Sequence, residues 1–293
     1  MPKSLFTLSR RSALRLLPGV ALNNPLQAFA GTGEQELPAI EARIGVRLGF
    51  AALDTGTGHL LSHRGAELFP MCSTFKFLLA AFVLSKVDAG TEQLSRAIPY
   101  SENELLGYVA VTRARVKEGA LPIGDLCAAA VELSDNTAAN LLLAQVGGPA
   151  GLTQFLRSMG DQVTRLDRAE PDLNTSIPGD PRDTTSPTAM IHSMKVLLTG
   201  SVLSGASKAQ LIAWLEKCKT GGQRLRAGIP KGWRAGDKTG TGDNGAVGDL
   251  GIFWPPGKAP ILMAAYVAGG SATKTEREAA IASAARVVVR TRI

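Results

Sequence analysis

The chain has few residues that could hold a metal ion or a redox centre. Its 293 residues include three cysteines, Cys72, Cys127 and Cys218, and three scattered histidines. No C-x-x-C pair and no cysteine and histidine spacing typical of zinc sites occurs in it. We therefore expect no metal and no cofactor. An odd number of cysteines leaves at least one thiol free if the protein is exported.

The chain also lacks a long apolar run and an aromatic-rich basic segment. No stretch approaches the roughly 18 uninterrupted apolar residues of a membrane span, so we expect no membrane anchor in the processed protein. The formal net charge is +7, but residues 1–30 alone carry four basic residues and no acidic one. This distribution removes the main support for nucleic-acid binding.

Residues 1–30 are typical of a targeting segment. The stretch "LSRRSALRLLPGVALNNPLQAFA" has paired arginines, a short apolar part and the cleavage pattern Ala28-Phe29-Ala30. The arginine pair favours a twin-arginine signal peptide. The alternative is an amphipathic N-terminal helix of the mature fold. We expect a periplasmic or secreted protein that begins near Gly31.

The hydrophobic patterns predict an α/β fold of the α+β type. Residues 43–65 predict a β-hairpin, and the chain after about residue 228 predicts a three-stranded meander and a final helix. Between them lie helical patches such as "FKFLLAAFVLSKVDAG". The simplest architecture is an antiparallel sheet made from both ends of the chain and flanked by helices. We assign 31–65 and 217–293 to a sheet domain, and 66–216 to an inserted all-helical domain.

One segment, residues 165–187, fits neither helix nor strand. Its sequence "RLDRAEPDLNTSIPGDPRDTTSP" has four prolines and many short polar residues. A loop this long inside a compact domain is usually functional or disordered. Because Leu166, Leu173 and Ile177 could anchor it, we expect a packed Ω loop over residues 165–183.

The stretch "CSTFKFLLAAF" puts Ser73 and Lys76 on one face at the start of an apolar helix. A serine there lies near unpaired backbone N–H groups and the positive end of the helix dipole, which favour a developing oxyanion. A lysine whose pKa is lowered by its neighbours can accept the serine proton. Taken alone, however, a helix-capping serine and a solvated lysine are the commoner explanation.

Two further patterns also have ordinary explanations when each is taken alone. The tripeptide "SDN", residues 134–136, precedes a helix and consists of favoured N-cap residues. The tripeptide "KTG", residues 238–240, could be a polar turn at the end of a strand. Neither pattern predicts an activity without the others.

The glycines Gly240, Gly242 and Gly245 spell G-x-G-x-x-G within "KTGTGDNG". In a dinucleotide-binding fold these glycines follow a strand and open a helix. Here they are followed by "AVGDLGIFWP", a strand pattern that ends in proline. The dinucleotide interpretation is therefore rejected.

The patterns S-x-x-K, S-D-N and K-T-G occur in this order, and the chain thereby resembles the class A serine β-lactamases. The resemblance runs from about residue 40 to the end and includes "RAEPDLN", "PGDPRDTTSP" and "TGGQRLRAGIP". It implies a β-lactamase/DD-peptidase-like fold and hydrolysis of penicillins and cephalosporins through an acyl-serine intermediate. The implied partner is a small β-lactam, without a cofactor, and we expect a monomer.

The resemblance implies a catalytic role for each of five residues. Ser73 would be the nucleophile, Lys76 would share in proton transfer, and Ser134 would protonate the departing ring nitrogen. Glu170 and Asn174 would hold and activate the water that attacks the acyl-enzyme. Whether Glu170 or Lys76 is the base for acylation stays open.

The resemblance also implies the residues that bind the substrate. The backbone N–H groups of Ser73 and Thr241 would form the oxyanion hole. Lys238, Thr239 and Thr241 would bind the substrate carboxylate. Tyr108 would form the aromatic wall of the entrance, and Asn136 would bind the side-chain amide of the substrate. Arg224 would support the carboxylate, a task for which many other members use an arginine at the position of Val247. Gly240 would keep the strand edge bare.

The cysteines depart from the patterns of some class A members. In class A carbapenemases the cysteine that corresponds to Cys72 forms a disulfide with a second cysteine. The position of that second cysteine is Gly242 here. Cys127 matches half of a different disulfide, whose partner position is Ala80 here. The resemblance therefore implies three free thiols and does not predict strong carbapenem hydrolysis. In the Ω loop it implies an ion pair between Arg168 and Asp183, and the Glu170-Pro171 bond is a candidate cis bond.

Two other functions stay open at this stage. A peptidoglycan DD-peptidase or a β-lactam sensor would form the acyl-enzyme and stop, and the sequence argues against both because they lack the loop that carries Glu170 and Asn174. A non-catalytic binding domain with the same fold would not need Ser73, Lys76 and Ser134 intact. The sequence favours the hydrolase.

Overall fold

A computed structural model describes residues 25–291 of the chain, and of residues 25–32 and 34 it describes only the backbone. Most of the predicted signal peptide, residues 1–24, lies outside the described residues. The predicted cleavage pattern, residues 28–30, lies inside the first helix, α1 (Pro25–Ile44). Among the described residues, no helix combines the length and the apolar character that a membrane crossing requires.

The centre of the fold is a five-stranded antiparallel sheet with the strand order β2-β1-β9-β8-β7. Hairpin β1-β2 and the meander β7-β8-β9 agree with the sequence patterns. The first strand pairs along its whole length with the last one, with Leu48 opposite Val267. The strands are β1 Arg47–Asp54, β2 Leu60–His63, β3 Phe69–Pro70, β4 Ala97–Pro99, β5 Ala120–Pro122, β6 Thr184–Thr185, β7 Arg234–Thr241, β8 Val247–Trp254 and β9 Ile261–Ala268.

Strand β1 is buried on both faces of the sheet. Its side chains alternate between two hydrophobic clusters, because successive residues of a strand point to opposite faces. Phe50 and Ala52 join the cluster beneath α1 and the C-terminal helix α10, which includes Leu37. Ala51 and Leu53 join the larger cluster formed with the helical segment. The sheet is therefore the middle layer of three, and its near-continuous apolar sequence follows from this position.

Helices cover both faces of the sheet. They are α1, α2 Phe75–Asp88, α3 Val111–Ala114, α4 Ile123–Glu132, α5 Asn136–Gln145, α6 Gly148–Ser158, α7 Pro187–Leu198, α8 Gly205–Glu216, α9 Leu225–Gly228 and α10 Lys274–Thr291. Short 3₁₀ turns occur at Cys72–Thr74, Glu102–Glu104, Val116–Glu118 and Asp172–Asn174.

The inserted segment 66–216 is mostly helical, but the expectation that it is all helical is wrong. It contains β3 paired with β6, and β4 paired with β5, as two small two-stranded sheets. In the first of them Phe69 lies opposite Thr185, which joins the beginning of the segment to the end of the long loop. Strands of two or three residues lack the alternation that would reveal them in a sequence.

The long loop is packed against the domain, as expected of an Ω loop. Leu166 and Leu173 are buried, whereas Ile177 is 49% exposed, so the prediction that Ile177 anchors the loop is wrong. The Arg168 Nε atom lies 2.6 Å from the Asp183 Oδ2 atom, which forms the expected ion pair across the base of the loop. The Glu170-Pro171 peptide bond is cis.

Candidate active site

The loop before α2 presents Ser73 at the N-terminal end of that helix. Ser73 lies in the 3₁₀ turn Cys72–Thr74, and Cys72 has a φ of 44°, a left-handed conformation that is strained for a residue with a Cβ. Lys76 lies within the first turn of α2 and is completely buried. Its Nζ donates a hydrogen bond of 3.0 Å to the Ser73 Oγ. The spacing i and i+3 thus brings the two side chains into direct contact.

Lys76 is also surrounded by oxygen atoms from two other segments of the chain. Its Nζ lies 2.6 Å from the Asn136 Oδ1, 2.9 Å from the Ser134 carbonyl oxygen and 2.9 Å from the Glu170 Oε1. Burial lowers the pKa of Lys76, and the Glu170 carboxylate acts in the opposite direction. Lys76 is thus more easily deprotonated than a lysine in solvent, which is the property that a proton acceptor needs.

The segment between α4 and α5 serves both as a helix cap and as part of the site. Asp135 caps α5 by accepting a 3.0 Å hydrogen bond from the Ala138 N–H, so the capping interpretation is correct for this residue. It also accepts a 3.0 Å bond from the N–H of Thr112. Ser134, with a φ of 60°, points instead toward the lysines.

Lys238 on β7 contacts Ser134 from the other side. Its Nζ donates to the Ser134 Oγ at 3.0 Å and to the Thr239 carbonyl oxygen at 2.7 Å. Burial, together with the charge of Lys76, lowers the pKa of Lys238 to about 7, while Cys218 and Asp237 oppose the shift. Ser134 is therefore flanked by two buried lysines, and a proton can pass between them through its hydroxyl group.

Gly240 lies where β7 passes close to the turn that carries Ser73. A Cβ atom at this position would lie 2.5 Å from the Met71 carbonyl oxygen and 3.2 Å from the Ser73 nitrogen. The glycine therefore allows β7 to pack directly against the turn that carries Ser73. The next residue, Thr241, lines the same cleft as Ser73.

Glu170 reaches Ser73 from the Ω loop. Its Oε1 accepts a hydrogen bond of 3.3 Å from the Ser73 Oγ, and its Oε2 accepts one of 2.5 Å from the Asn174 Nδ2. The Asn174 Oδ1 is buried and has no hydrogen-bond partner within the described residues. A buried acceptor of this kind beside a carboxylate is suited to receive a hydrogen bond from a water molecule.

Asn140 on α5 fixes the backbone of Glu170, and the sequence interpretation missed it. Its Oδ1 accepts from the Glu170 N–H at 3.0 Å, and its Nδ2 donates to the Glu170 carbonyl oxygen at 2.9 Å. The side chain therefore binds Glu170 as a neighbouring strand would. Asn140 lies one helical turn after Asn136, and this spacing was the available signal.

Arg224 has a more indirect position than expected. Its Nη1 donates to the carbonyl oxygens of Gly240 and Gly248 at 2.7 Å each. Its Nη2 donates to the Thr241 Oγ1 at 2.7 Å, and its Nε and Nη2 lie 3.2 Å from the Glu278 Oε1. These contacts use all five N–H groups of the guanidinium. Arg224 therefore holds the Thr241 hydroxyl group at the lining of the cleft.

These residues surround an open cleft of about 630 Å³. Tyr108, which is 58% exposed, lies on its wall. The lining residues are Ser73, Tyr108, Ser134, Asn136, Asn174, Thr220, Arg224, Thr239, Thr241, Gly242, Asp243, Lys274 and Glu278. Of these, Thr220, Asp243, Lys274 and Glu278 were not anticipated. Thr220 and Asp243 lie in stretches quoted above without a predicted role, and Lys274 and Glu278 lie outside any recognisable motif.

The cysteines are free and buried. Cys72 precedes Ser73, with its Sγ 3.5 Å from the Ser176 Oγ, and burial raises the pKa of its thiol to about 12. A Cβ atom on Gly242 would lie 2.7 Å from the same Sγ atom and 2.6 Å from the Asn174 carbonyl oxygen. In the part of the chain that the structure describes, no group of His, Cys, Asp and Glu side chains is arranged to hold a metal ion.

Comparison with known proteins finds relatives that span nearly the whole chain. Residues 33–291 match the model of the β-lactamase enzyme family. β-Lactamase CTX-M-8 of Citrobacter amalonaticus is 41% identical over 94% of this chain and 94% of its own length. The carbapenem-hydrolyzing β-lactamase KPC of Klebsiella oxytoca is 42% identical over 94% of this chain and 96% of its own length.

Solved structures of similar chains have the same fold. A class A β-lactamase representing the last common ancestor of Gram-negative bacteria is 55% identical, with a TM-score of 0.86 over 88% of this chain and 98% of its own. The putative class A β-lactamase PenP of Rhodopseudomonas palustris is 48% identical, with a TM-score of 0.86 and the same coverage. Similarity at this level extends to the whole architecture of sheet and helices.

Proposed function

The chain belongs to the class A branch of the β-lactamase enzyme family, and from that premise we propose how its side chains hydrolyse the amide bond of a β-lactam. The reaction is hydrolysis through an acyl-serine. The observation that carries the assignment of roles is the contact of one carboxylate, Glu170, with both Ser73 and Lys76.

In acylation, the Ser73 Oγ attacks the β-lactam carbonyl carbon and loses its proton. Lys76 Nζ at 3.0 Å and Glu170 Oε1 at 3.3 Å are both within reach of that proton. The lowered pKa of Lys76 supports its role as acceptor, and Glu170 adds a second acceptor. Ser134 then delivers a proton to the ring nitrogen as the amide bond breaks, and the lysines beside it replace this proton.

The backbone N–H groups of Ser73 and Thr241 stabilise the oxyanion in this scheme. The close packing of β7 on the Ser73 turn at Gly240 supports it, because the N–H groups of both segments then border the same cleft. Removing one donor from an oxyanion hole typically costs about 3–4 kcal/mol of barrier. This contribution does not depend on which group takes the serine proton.

In deacylation, a water molecule held by Glu170 and Asn174 attacks the acyl-serine. The carboxylate takes a proton from the water, and the unpartnered Asn174 Oδ1 accepts the second water hydrogen. Asn140 fixes the backbone of Glu170, and Asn174 fixes its side chain. A fixed base beside the ester explains turnover rather than a trapped acyl-enzyme.

The substrate carboxylate is bound by the end of β7. Lys238 supplies the positive charge, and the hydroxyl groups of Thr239 and Thr241 supply donors. Arg224 holds the Thr241 hydroxyl by donating to it, so the Thr241 hydrogen points away from the arginine and toward the cleft. Tyr108 and Asn136 border the other wall, where the substrate side chain would lie.

Steady-state hydrolysis of the chromogenic cephalosporin nitrocefin tests the proposal. We expect many turnovers per enzyme and no hydrolysis by Ser73→Ala, which lacks the nucleophile. A single burst of one equivalent without further hydrolysis would show an enzyme that acylates and stops, as a DD-peptidase or a sensor does. Activity of Ser73→Ala equal to the wild type would refute the nucleophile assignment.

We also propose a cleaved export signal, a monomer, and two folding units made of 31–65 with 217–293 and of 66–216. Class A β-lactamases are typically exported, and the paired Arg10 and Arg11 support the twin-arginine route. Cleavage after Ala30 would leave the buried Leu37 in the mature protein. N-terminal sequencing of exported protein should begin at Gly31, and replacing both arginines with lysine should block export.

Light scattering at several concentrations checks the proposal that the protein is a monomer.

A further inference from the structure

Two carboxylates are completely buried behind the strand that carries Lys238. Asp249 on β8 lies opposite Thr239 in the antiparallel register, and Asp237 lies two residues before Thr239 on β7. Asp237 and Asp249 are therefore diagonal neighbours on the same face of the sheet, and the Asp237 charge lies close enough to raise the pKa of Asp249. Neither side chain is exposed to solvent, and neither has a role in the scheme above.

Each of these carboxylates has one bonded and one unpartnered oxygen. The Asp237 Oδ1 accepts from the Arg226 Nε, and the Asp249 Oδ2 accepts from the Leu225 N–H at 3.0 Å. The Asp237 Oδ2 and the Asp249 Oδ1 are buried and have no hydrogen-bond partner within the described residues. Gly221 packs on the Asp237 Oδ2, since a Cβ there would lie 1.5 Å away, so no side chain at that position can supply a donor.

Two bare carboxylate oxygens on neighbouring buried anions are costly, because their hydrogen-bonding capacity is unsatisfied and the two negative charges repel each other. A single proton removes both problems, since a protonated carboxyl group is a donor and its ionised neighbour an acceptor. Burial raises the pKa of Asp237, and burial together with the neighbouring Asp237 charge raises that of Asp249 well above its usual range. The charged groups facing the pair are Arg224, Arg226 and Lys238.

We propose that Asp237 and Asp249 share one proton in a hydrogen bond between the Asp237 Oδ2 and the Asp249 Oδ1, and that this pair is a positioning element for Lys238. The pair then carries one negative charge instead of two. It ties β7 to β8 beside the residues that bind the substrate carboxylate, where a second negative charge would oppose an anionic ligand. This consequence for substrate binding rests on the proposed function, whereas the shared proton does not.

Infrared spectroscopy tests the shared proton directly. At neutral pH a protonated carboxyl group gives a carbonyl stretching band that ionised carboxylates lack. We expect this band in the wild type and its loss in Asp249→Asn. The matched control is Glu132→Gln, because burial also raises the pKa of Glu132, and this variant should keep the band. Absence of the band in the wild type, or its persistence in both Asp249→Asn and Asp237→Asn, would overturn the proposal.

Kinetics test the effect on Lys238. Asp249→Ala removes the partner and leaves Asp237 with an unsatisfied oxygen, so we expect the KM for a penicillin to rise roughly tenfold, the size of one hydrogen bond to a charged group. Asp249→Asn keeps a donor for Asp237 and should return KM and the melting temperature toward the wild-type values. Equal losses in the two variants would show that the proton has no positioning role.

The inactive variant Ser73→Ala separates this proposal from the assignment of the catalytic residues. It should keep the infrared band, since Ser73 contacts neither aspartate. If the band is present and Ser73→Ala retains activity, the catalytic scheme fails and the shared proton stands. If the band is absent and nitrocefin is turned over normally, the shared proton is refuted and the catalytic scheme stands.

Discussion

The two halves of the catalytic site are built differently. Ser73 and Lys76 lie at the beginning of α2, Ser134 lies just before α5, and Lys238 lies on β7. The hydrophobic clusters and the sheet hold these elements. Glu170 and Asn174 lie on a loop whose attachment to the site consists largely of side-chain hydrogen bonds and one ion pair. The proposed nucleophile is thus positioned by packed secondary structure, and the carboxylate proposed to activate water is positioned by a few polar contacts.

This difference means that the two chemical steps should respond separately to substitution. A change in the loop contacts alters deacylation while the nucleophile stays in place. A change in the packing around α2 or β7 affects the nucleophile and therefore both steps. Comparing the acylation burst with the steady-state rate of a variant distinguishes these two cases.

The largest separation is expected from Glu170→Gln, which keeps the shape of the side chain and removes the base. Deacylation should slow by about 10²- to 10⁴-fold, the usual contribution of a general base. Stopped-flow measurement with nitrocefin and mass spectrometry should then show a burst and an accumulated acyl-enzyme. If no acyl-enzyme forms, Glu170 is also required for acylation, and the division between the two halves fails at this residue.

Asn140→Leu should give the next largest effect. It removes both hydrogen bonds to the Glu170 backbone, each contributing about 1 kcal/mol, so we expect kcat to fall about 10- to 30-fold with an unchanged burst. The control is Asn103→Leu, at an exposed position, which should have wild-type kinetics. A smaller burst in Asn140→Leu would mean that α5 positions the nucleophile as well as the loop.

The pH dependence of kcat/KM should come from Lys238, in the half of the site that contains Ser73. Because burial lowers the pKa of Lys238 to about 7, the lysine is charged below that pH and becomes neutral above it. The kcat/KM for a penicillin, which reports the free enzyme, should therefore fall above pH 7, approaching tenfold per unit. Lys238→Arg remains charged and should flatten this limb, whereas an equally steep profile in that variant would assign the titration to another group.

Gly242→Ala should have the smallest effect, because Gly242 lies where the two halves touch. Its added methyl group would meet the Cys72 Sγ on one side and the Asn174 carbonyl oxygen on the other. Crowding of this kind typically costs about 1–3 kcal/mol, and we expect a lower melting temperature and a several-fold lower kcat. Gly205→Ala, whose Cβ would meet nothing within 4 Å, is the control. Equal melting temperatures of Gly242→Ala and the wild type would show that the loop moves aside without loss of stability.

Much of the fold could be predicted because its longer elements have strong patterns. Hairpin β1-β2, the meander β7-β8-β9 and helices α2, α4, α5, α7 and α10 follow from the alternation of residues and from glycine stops. Helices α6 and α8 were not anticipated. Helix α6 begins at Gly148-Pro149 and α8 at Gly205, next to residues that are typical of loops.

The residues of the site were predictable where they belong to motifs and not where they act through geometry alone. The spacing of Ser73 and Lys76 on one helix face indicates that they act together. The contributions of Asn140 and Glu278 depend on contacts with distant segments, which no local pattern encodes. The involvement of all five Arg224 donors likewise follows from the tertiary structure alone.

The pairing of β1 with β9 has a consequence for how activity arises during synthesis. Because the second-to-last element, β9, lies between β1 and β8, the sheet remains in two separate parts until almost the whole chain has left the ribosome. Long-range pairings of this kind form late and slowly. Nascent chains that stop before β9 should therefore carry every catalytic side chain and still hydrolyse nothing, so that the enzyme becomes active only when its last strand is inserted.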